Sequence, residues 1–359
     1  MRKSLTLTGL GVFMIAAVAV HGVARADEVK LMEGVVPRPG DSQMTALNKF
    51  KKPPPWKIGM SDFGVNANTW TIQVAHEAEA AAEHDPRIGK FILLDANLSQ
   101  AKQVADIEDL IAQKVDAIIV TPLTPTSADG GIEKAVAAGI PVIVHTGLTV
   151  TDKYTVDIQG GGVHFGKVMG DFLVKKLHGK GNIWVLRGLP AHPEDINRYK
   201  GLLEALKGTE IKIVQEGAGN WQYDNGKALC ETFYLNNPKV DGIWSSGADM
   251  SRACIDVFQE YGAPIPPITG EGNNGFFKRW IDTGIESIAP EYGPEQGAAG
   301  IRAAVALLEG KQLHKRYIYE PPGWDLQKIK KVYRSDLSDN VWFPTSLTEA
   351  DLQKYYGKK

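Results

Sequence analysis

Residues 103–146 read QVADIEDLIAQKVDAIIVTPLTPTSADGGIEKAVAAGIPVIVHT, and this stretch decides the fold. It opens inside a helical pattern that runs from Gln100 to Gln113. DAIIVT (116–121) follows, apolar on successive positions as a parallel strand covered on both faces must be. A second helical pattern, Ile132–Ala138, stops at Gly139 just ahead of Pro141, where a helix end is expected. PVIVHT (141–146) is then the next buried strand. Helix followed by strand, twice over, is the repeat of a parallel α/β sheet.

The alternation extends both ways. Upstream lie strands at 57–61 and 90–96 with the helix WTIQVAHEAEAAAE at Trp70–Glu83. Downstream come strands at 153–158, 182–188, 211–216, 241–246 and 266–270. Helical patterns separate them at Val163–Leu177, Asp195–Leu206, Asn225–Leu235 and Met250–Glu260, and Gln296–Leu308 adds one more. So many units exceed one small domain, and their number and the long tail disfavour a closed eightfold barrel. The expectation is an α/β fold of two doubly wound parallel-sheet lobes.

The N-terminus reads as an export signal. Arg2 and Lys3 precede the uncharged stretch Ser4–Val20, and Ala24-Arg25-Ala26 offers small residues for cleavage. The apolar run falls short of the ~20 residues of a spanning helix. Cleavage after Ala26 is expected, which assigns the mature chain to a periplasm. Residues 27–55 close on Lys51-Lys52-Pro53-Pro54-Pro55 and read as a stiff, extended leader. The full chain carries a net charge of -2, and losing the signal with its three bases leaves -5. No basic surplus exists to neutralise a phosphate backbone, so nucleic acid is not expected as a partner. Cys230 and Cys254 lie in helical patterns and read as buried free thiols. A disulfide is left open, because export permits one but the pair must meet a strict Cα spacing.

In open parallel sheets, ligands bind beyond the carboxyl ends of the strands. That rule selects Asp62, Asn66, Asn68 and Trp70 after the first strand, then His145 and Thr146 after the fourth. It also selects Trp221, Asp249, Glu271 and Asn273. Amides and carboxylates bridge neighbouring hydroxyls, and indole faces cover C–H surfaces, so such a cleft suits a polyhydroxylated ligand. Catalytic and cofactor motifs fail their tests. The Gly-rich turn from Gly160 to Gly166 lacks the acid that a dinucleotide ribose needs, since the next strand ends Val185-Leu186-Arg187-Gly188. It reads instead as glycine at a backbone crossover or a tight helix entry. No phosphate-binding G-x-x-x-x-G-K-[ST] run, G-x-S-x-G elbow, H-E-x-x-H pair or calcium loop occurs. No cofactor, metal or catalytic residue is expected.

Several stretches in order resemble one family. They are residues 58–82, the opening stretch 103–146, GGGVHFGKVMGDFLVKKL (160–177), NRYKGLLEAL (197–206), NPKVDGIWSSGADM (237–250) and PEYGPEQGAAGIRAAVALLEGK (290–311). Together they resemble the periplasmic sugar-binding proteins of ABC importers, specifically the ribose-binding-like group of type I solute-binding proteins. The resemblance implies a three-stranded hinge crossed near Gly160, Glu291 and Glu320. It assigns 57–160 plus 292–320 to an N-terminal lobe and 161–291 plus 321–359 to a C-terminal lobe and tail. It implies no catalysis: a monomer closes on a small sugar or polyol and presents it to a membrane permease. Trp70 and Trp221 match the family's opposed aromatic rings, and Arg198 matches its C-lobe arginine.

The departures bear on specificity. The family's Asp-Arg pair is Thr146-Gly147 here, beside His145. Its Asn is Gly247 with Asp249 two residues on, its Asp is Gly272 between Glu271 and Asn273, and its hinge Gln is Glu291. An Arg lost and a Glu gained favour a neutral sugar or polyol over a sugar acid. Two other classes stand beside this reading: a ligand-sensing relay to a membrane receptor, and a secreted α/β enzyme.

Overall fold

The computed structural model describes residues 29–319 and 323–358. The expected signal (1–26) and the crossing near Glu320 lie outside the described residues. The first sheet is built from β1 (Val35–Pro37), β2 (Trp56–Asp62), α1 (Thr69–Glu83), β3 (Ile88–Asp95), α2 (Gln100–Ala112), β4 (Ala117–Thr121), α3 (Asp129–Ala137), β5 (Val142–His145) and β6 (Val156–Gly160). The chain then enters the second lobe with α4 (Gly162–Lys176), β7 (Lys180–Arg187), α5 (Pro193–Leu206), β8 (Glu210–Ala218), α6 (Tyr223–Asn236), β9 (Gly242–Ser245), α7 (Ala248–Glu260), β10 (Ile268–Thr269), α8 (Asn274–Thr283) and β11 (Ser287–Ile288). It returns to the first lobe for α9 (Gln296–Leu308) and β12 (Arg316–Tyr319), and ends in α10 (Leu326–Val332) and α11 (Glu349–Tyr356).

The sheet orders are β1-β12-β6-β5-β4-β2-β3 and β11-β10-β9-β7-β8. Every pairing is parallel except that of β1 with β12. In each sheet the first parallel strand has its successor on one side and the next strand on the other. That arrangement is doubly wound, and it opens a crevice at the switch point beyond β2 and β4, and beyond β7 and β9. These strands are buried toward their carboxyl ends, with Ile58, Met60, Ile119, Trp184, Val185 and Ile243 inaccessible to solvent. Burial on both faces explains their unbroken apolar pattern.

Two expectations change. The segment read as a stiff leader is packed: Leu31 and Met32 are buried, and Val35 pairs with Tyr319 to cover the sheet edge. A three-residue strand is too short to show a period in sequence. Cys230 on α6 and Cys254 on α7 form a disulfide with Cα atoms 5.4 Å apart, which corrects the free-thiol reading. The two helices pack side by side, and that supplies the close approach which spacing along the chain could not reveal.

Candidate functional site

Asn68 begins the site by fixing where α1 starts. Its side-chain oxygen accepts from the N–H groups of Trp70 and Thr71, each at 3.0 Å, and Thr71 returns a hydroxyl to the Asn68 backbone as a capping box. That cap sets Trp70 in the first turn of α1. The indole N–H of Trp70 donates to the Tyr292 carbonyl at 2.8 Å, and the two rings stack 5.2 Å apart.

On the second lobe, α4 and α5 press together through glycine. A Cβ at Gly166 would lie 1.8 Å from the Arg198 carbonyl oxygen, so the Gly-rich entry serves helix packing that delivers Arg198. Arg198 is 3% exposed. Its Nη1 donates to Ser246 O at 2.5 Å and Glu271 Oε1 at 2.8 Å, and its Nε lies 3.7 Å from Glu194 Oε2. The rings of Phe165 and Tyr292 pack on the guanidinium at 4.0 and 4.8 Å. Trp221 rests on bare backbone, because a Cβ at Gly188 or Gly247 would come within 2.0 or 2.5 Å of its ring. Gly247, where the family has Asn, is therefore a seat for Trp221. The Trp221 indole donates to Ser246, and its ring meets His192 edge-on at 5.3 Å. Trp221 and Thr146 both adopt left-handed backbone, with φ of 56° and 51°, a conformation that bulky and β-branched residues rarely take.

The lobes meet over a cavity of about 40 Å³. Seven residues singled out in the sequence line it: Asn68, Trp70, Thr146, Arg198, Trp221, Asp249 and Glu271. The other five do not reach it. Asp62 is buried beneath the loop after β2, accepting from Gly64 N. Asn66 is exposed and turned to Asp95. His145 packs behind Thr146, Asn273 caps α8, and Glu291 faces a separate groove with Trp324 and Lys328. Residues of one loop diverge here, because each side chain is directed by its own turn or cap: Asn66 toward Asp95, Asn68 onto the start of α1.

Phe63, His192, Glu194, Tyr292 and Trp342 also line the cavity and were not anticipated. Glu194 lies one turn before Arg198 on α5, a spacing that could have flagged it. Trp342 comes from the tail and gave no signal.

Electrostatics follow from burial. Burial lowers the arginine's affinity for its proton, but Glu271 and Glu194 beside it outweigh that and hold Arg198 above its usual range. Burial pushes both glutamates up, with Arg198 opposing the rise. His192 is driven down to about 3 by burial and by Arg198, so it is neutral near pH 7. Its Nδ1 accepts from Glu194 N at 3.2 Å, which leaves the proton on Nε2. Arg198 Nε, His192 Nε2 and Tyr292 Oη are buried and make no hydrogen bond of normal geometry. The residues that carry these atoms line a cavity whose wall also includes Phe63, Trp70, Trp221 and Trp342.

The family described as periplasmic binding protein domain matches residues 63–312. The xylitol-binding protein of Mycolicibacterium smegmatis is 28% identical over 266 residues, covering 72% of this chain and 75% of that protein. The galactofuranose-binding protein of Escherichia coli is 28% identical over 225 residues, or 60% of this chain and 70% of that one. An ABC transporter solute-binding protein from Thermobispora bispora superposes with a TM-score of 0.75 at 25% identity, covering 84% of this chain and 94% of its own. With the two lobes, the interlobe cavity and a match across most of its length, the chain belongs to the periplasmic binding protein domain family.

Proposed function

We propose that the protein captures a neutral monosaccharide or polyol between its lobes and hands it to the permease of an ABC importer. One observation carries this reading: Arg198 Nε, His192 Nε2 and Tyr292 Oη are buried without a hydrogen bond of normal geometry, on residues that line one cavity with Trp70 and Trp221. Hydroxyl groups fill such positions without bringing charge, and ring C–H faces lie against indoles. Arg198 is already matched by two glutamates and Asp249 by Arg252, so an anionic ligand would meet an acidic wall with no free cation among the described lining residues. The relatives named for xylitol and galactofuranose agree with that class.

The site supports binding and release without turnover. The protein acts as an exported monomer, freed from its signal after Ala26, and N-terminal sequencing of the exported chain should begin at Asp27. A thermal-shift screen of neutral pentoses, hexoses and polyols beside the matching sugar acids tests the ligand class. A ligand at 100 times its Kd adds ~2.7 kcal/mol of stability. Stabilisation by a neutral member supports the reading, and stabilisation by sugar acids alone overturns it.

A further inference from the structure

The family match ends at residue 312, yet the chain continues through α10 and α11 and crosses both lobes. Residues 339–343 lie against the second lobe: Gly275 N donates to Asp339 O, Asn274 N to Val341 O, and Phe343 N to Gly272 O. A Cβ at Gly272 would sit 2.0 Å from Phe343 O, so the missing side chain there, an Asp in the family, makes room for this strand of tail. Trp342, and the tail beyond Phe343, also hold the first lobe. Gln73 on α1 accepts from Trp342 N at 2.7 Å and donates to Trp342 O at 3.0 Å. Thr345 and Ser346 bond the buried Glu77, and α11 stacks Tyr355 on His76.

Trp342 itself lines the cavity. Its indole N–H donates to Thr69 Oγ1 at 2.8 Å, and Thr69 donates to Asp249 Oδ2 at 2.5 Å. Asp249 accepts from Arg252 Nε, and Arg252 Nη2 donates back to Asn340 in the tail. This ring of bonds ties tail, first lobe and second lobe together beside the cavity.

We propose that the C-terminal segment is part of the binding site: it supplies Trp342 as a ligand-contacting wall and, by bonding both lobes, ties that wall to the closed arrangement. The proposal rests on the sugar or polyol reading for its ligand and on geometry alone for the tie. A tethered wall also makes the tail a determinant of which ring or chain length fits.

Two arms test it in the full-length chain. In the first, Trp342→Ala and Trp342→Phe are titrated calorimetrically with xylitol, D-ribose and myo-inositol, with circular dichroism confirming the fold. Trp342→Ala should weaken whichever probe the unaltered protein binds by roughly tenfold or more, and Phe should recover part of the loss. Unaltered affinity in Trp342→Ala overturns the wall. The second arm needs no ligand. Gln73→Leu strips both bonds from the Trp342 backbone, so amide exchange at Trp342 should quicken and the radius of gyration should rise above that of the unaltered protein. An unchanged exchange rate and scattering profile overturns the tie, even where no probe binds and the sugar reading is what has failed.

Discussion

The Thr69 hydroxyl donates to the Asp249 carboxylate at 2.5 Å, joining the first residue of α1 on one lobe to the first turn of α7 on the other. The two residues lie 180 positions apart in the chain. The bond thus spans the two lobes beside the cavity. Thr69→Val should therefore weaken ligand affinity by about 1.5–3 kcal/mol, the scale of a hydrogen bond to a charged group. The ligand-free melting temperature should move far less. Calorimetry beside differential scanning calorimetry checks both.

Trp221 and Arg198 should separate by what each does without ligand. Trp221 is half-buried and sits on glycine backbone, so Trp221→Ala should cost roughly 1–3 kcal/mol of affinity with a small loss of stability. Arg198→Ala strands Glu194 and Glu271 in a dry site, and breaking such a buried group costs about 3–5 kcal/mol. Its ligand-free melting temperature should fall sharply along with binding. A variant that lost binding at full stability would show that the arginine is not the keystone of this cluster.

The Cys230–Cys254 disulfide joins neighbouring helices on the second lobe. Thiol titration of the denatured, unreduced protein should find no free thiol. Reduction should lower stability by about 2–4 kcal/mol, read from urea unfolding with and without reductant.

Asp62 gives a pH signature. Burial pushes its carboxyl from the model-compound value up to about 7, against opposing bonds from Gly64 and Thr121. The folded state then keeps a proton that the unfolded chain releases above about pH 4. This contribution to stability is full below that pH and is lost as pH rises through 7. Asp62→Asn removes the titration, so its melting temperature should fall less than that of the unaltered protein between pH 5 and pH 8. Parallel curves would contradict the assignment.

Much of the fold was legible because it rests on burial. Strands such as DAIIVT are covered on both faces and announce themselves as apolar runs, and the intervening helices end at Gly and Pro where they should. Short strands were not legible: β1 and β11 at sheet edges, and β12 between β1 and β6, gain their pairing from tertiary neighbours, with no period of their own. The site was half legible. Trp70, Arg198 and Trp221 follow strand ends or a family motif, and the structure brings them to one cavity. Asn66 and Glu291 come from equally good loops but point elsewhere, because a loop's side-chain directions are set by caps and turns that composition does not encode. Trp342 was invisible, since its place depends on a tail reaching across both lobes.

The central claim is that ligand is held between two lobes that close upon it. X-ray scattering of the unaltered protein, with and without the sugar or polyol that raises its melting temperature, tests this most directly. The account predicts a smaller radius of gyration with ligand bound, and a Thr69→Val profile that contracts less at equal saturation. An unchanged profile with a ligand proven to bind would contradict it.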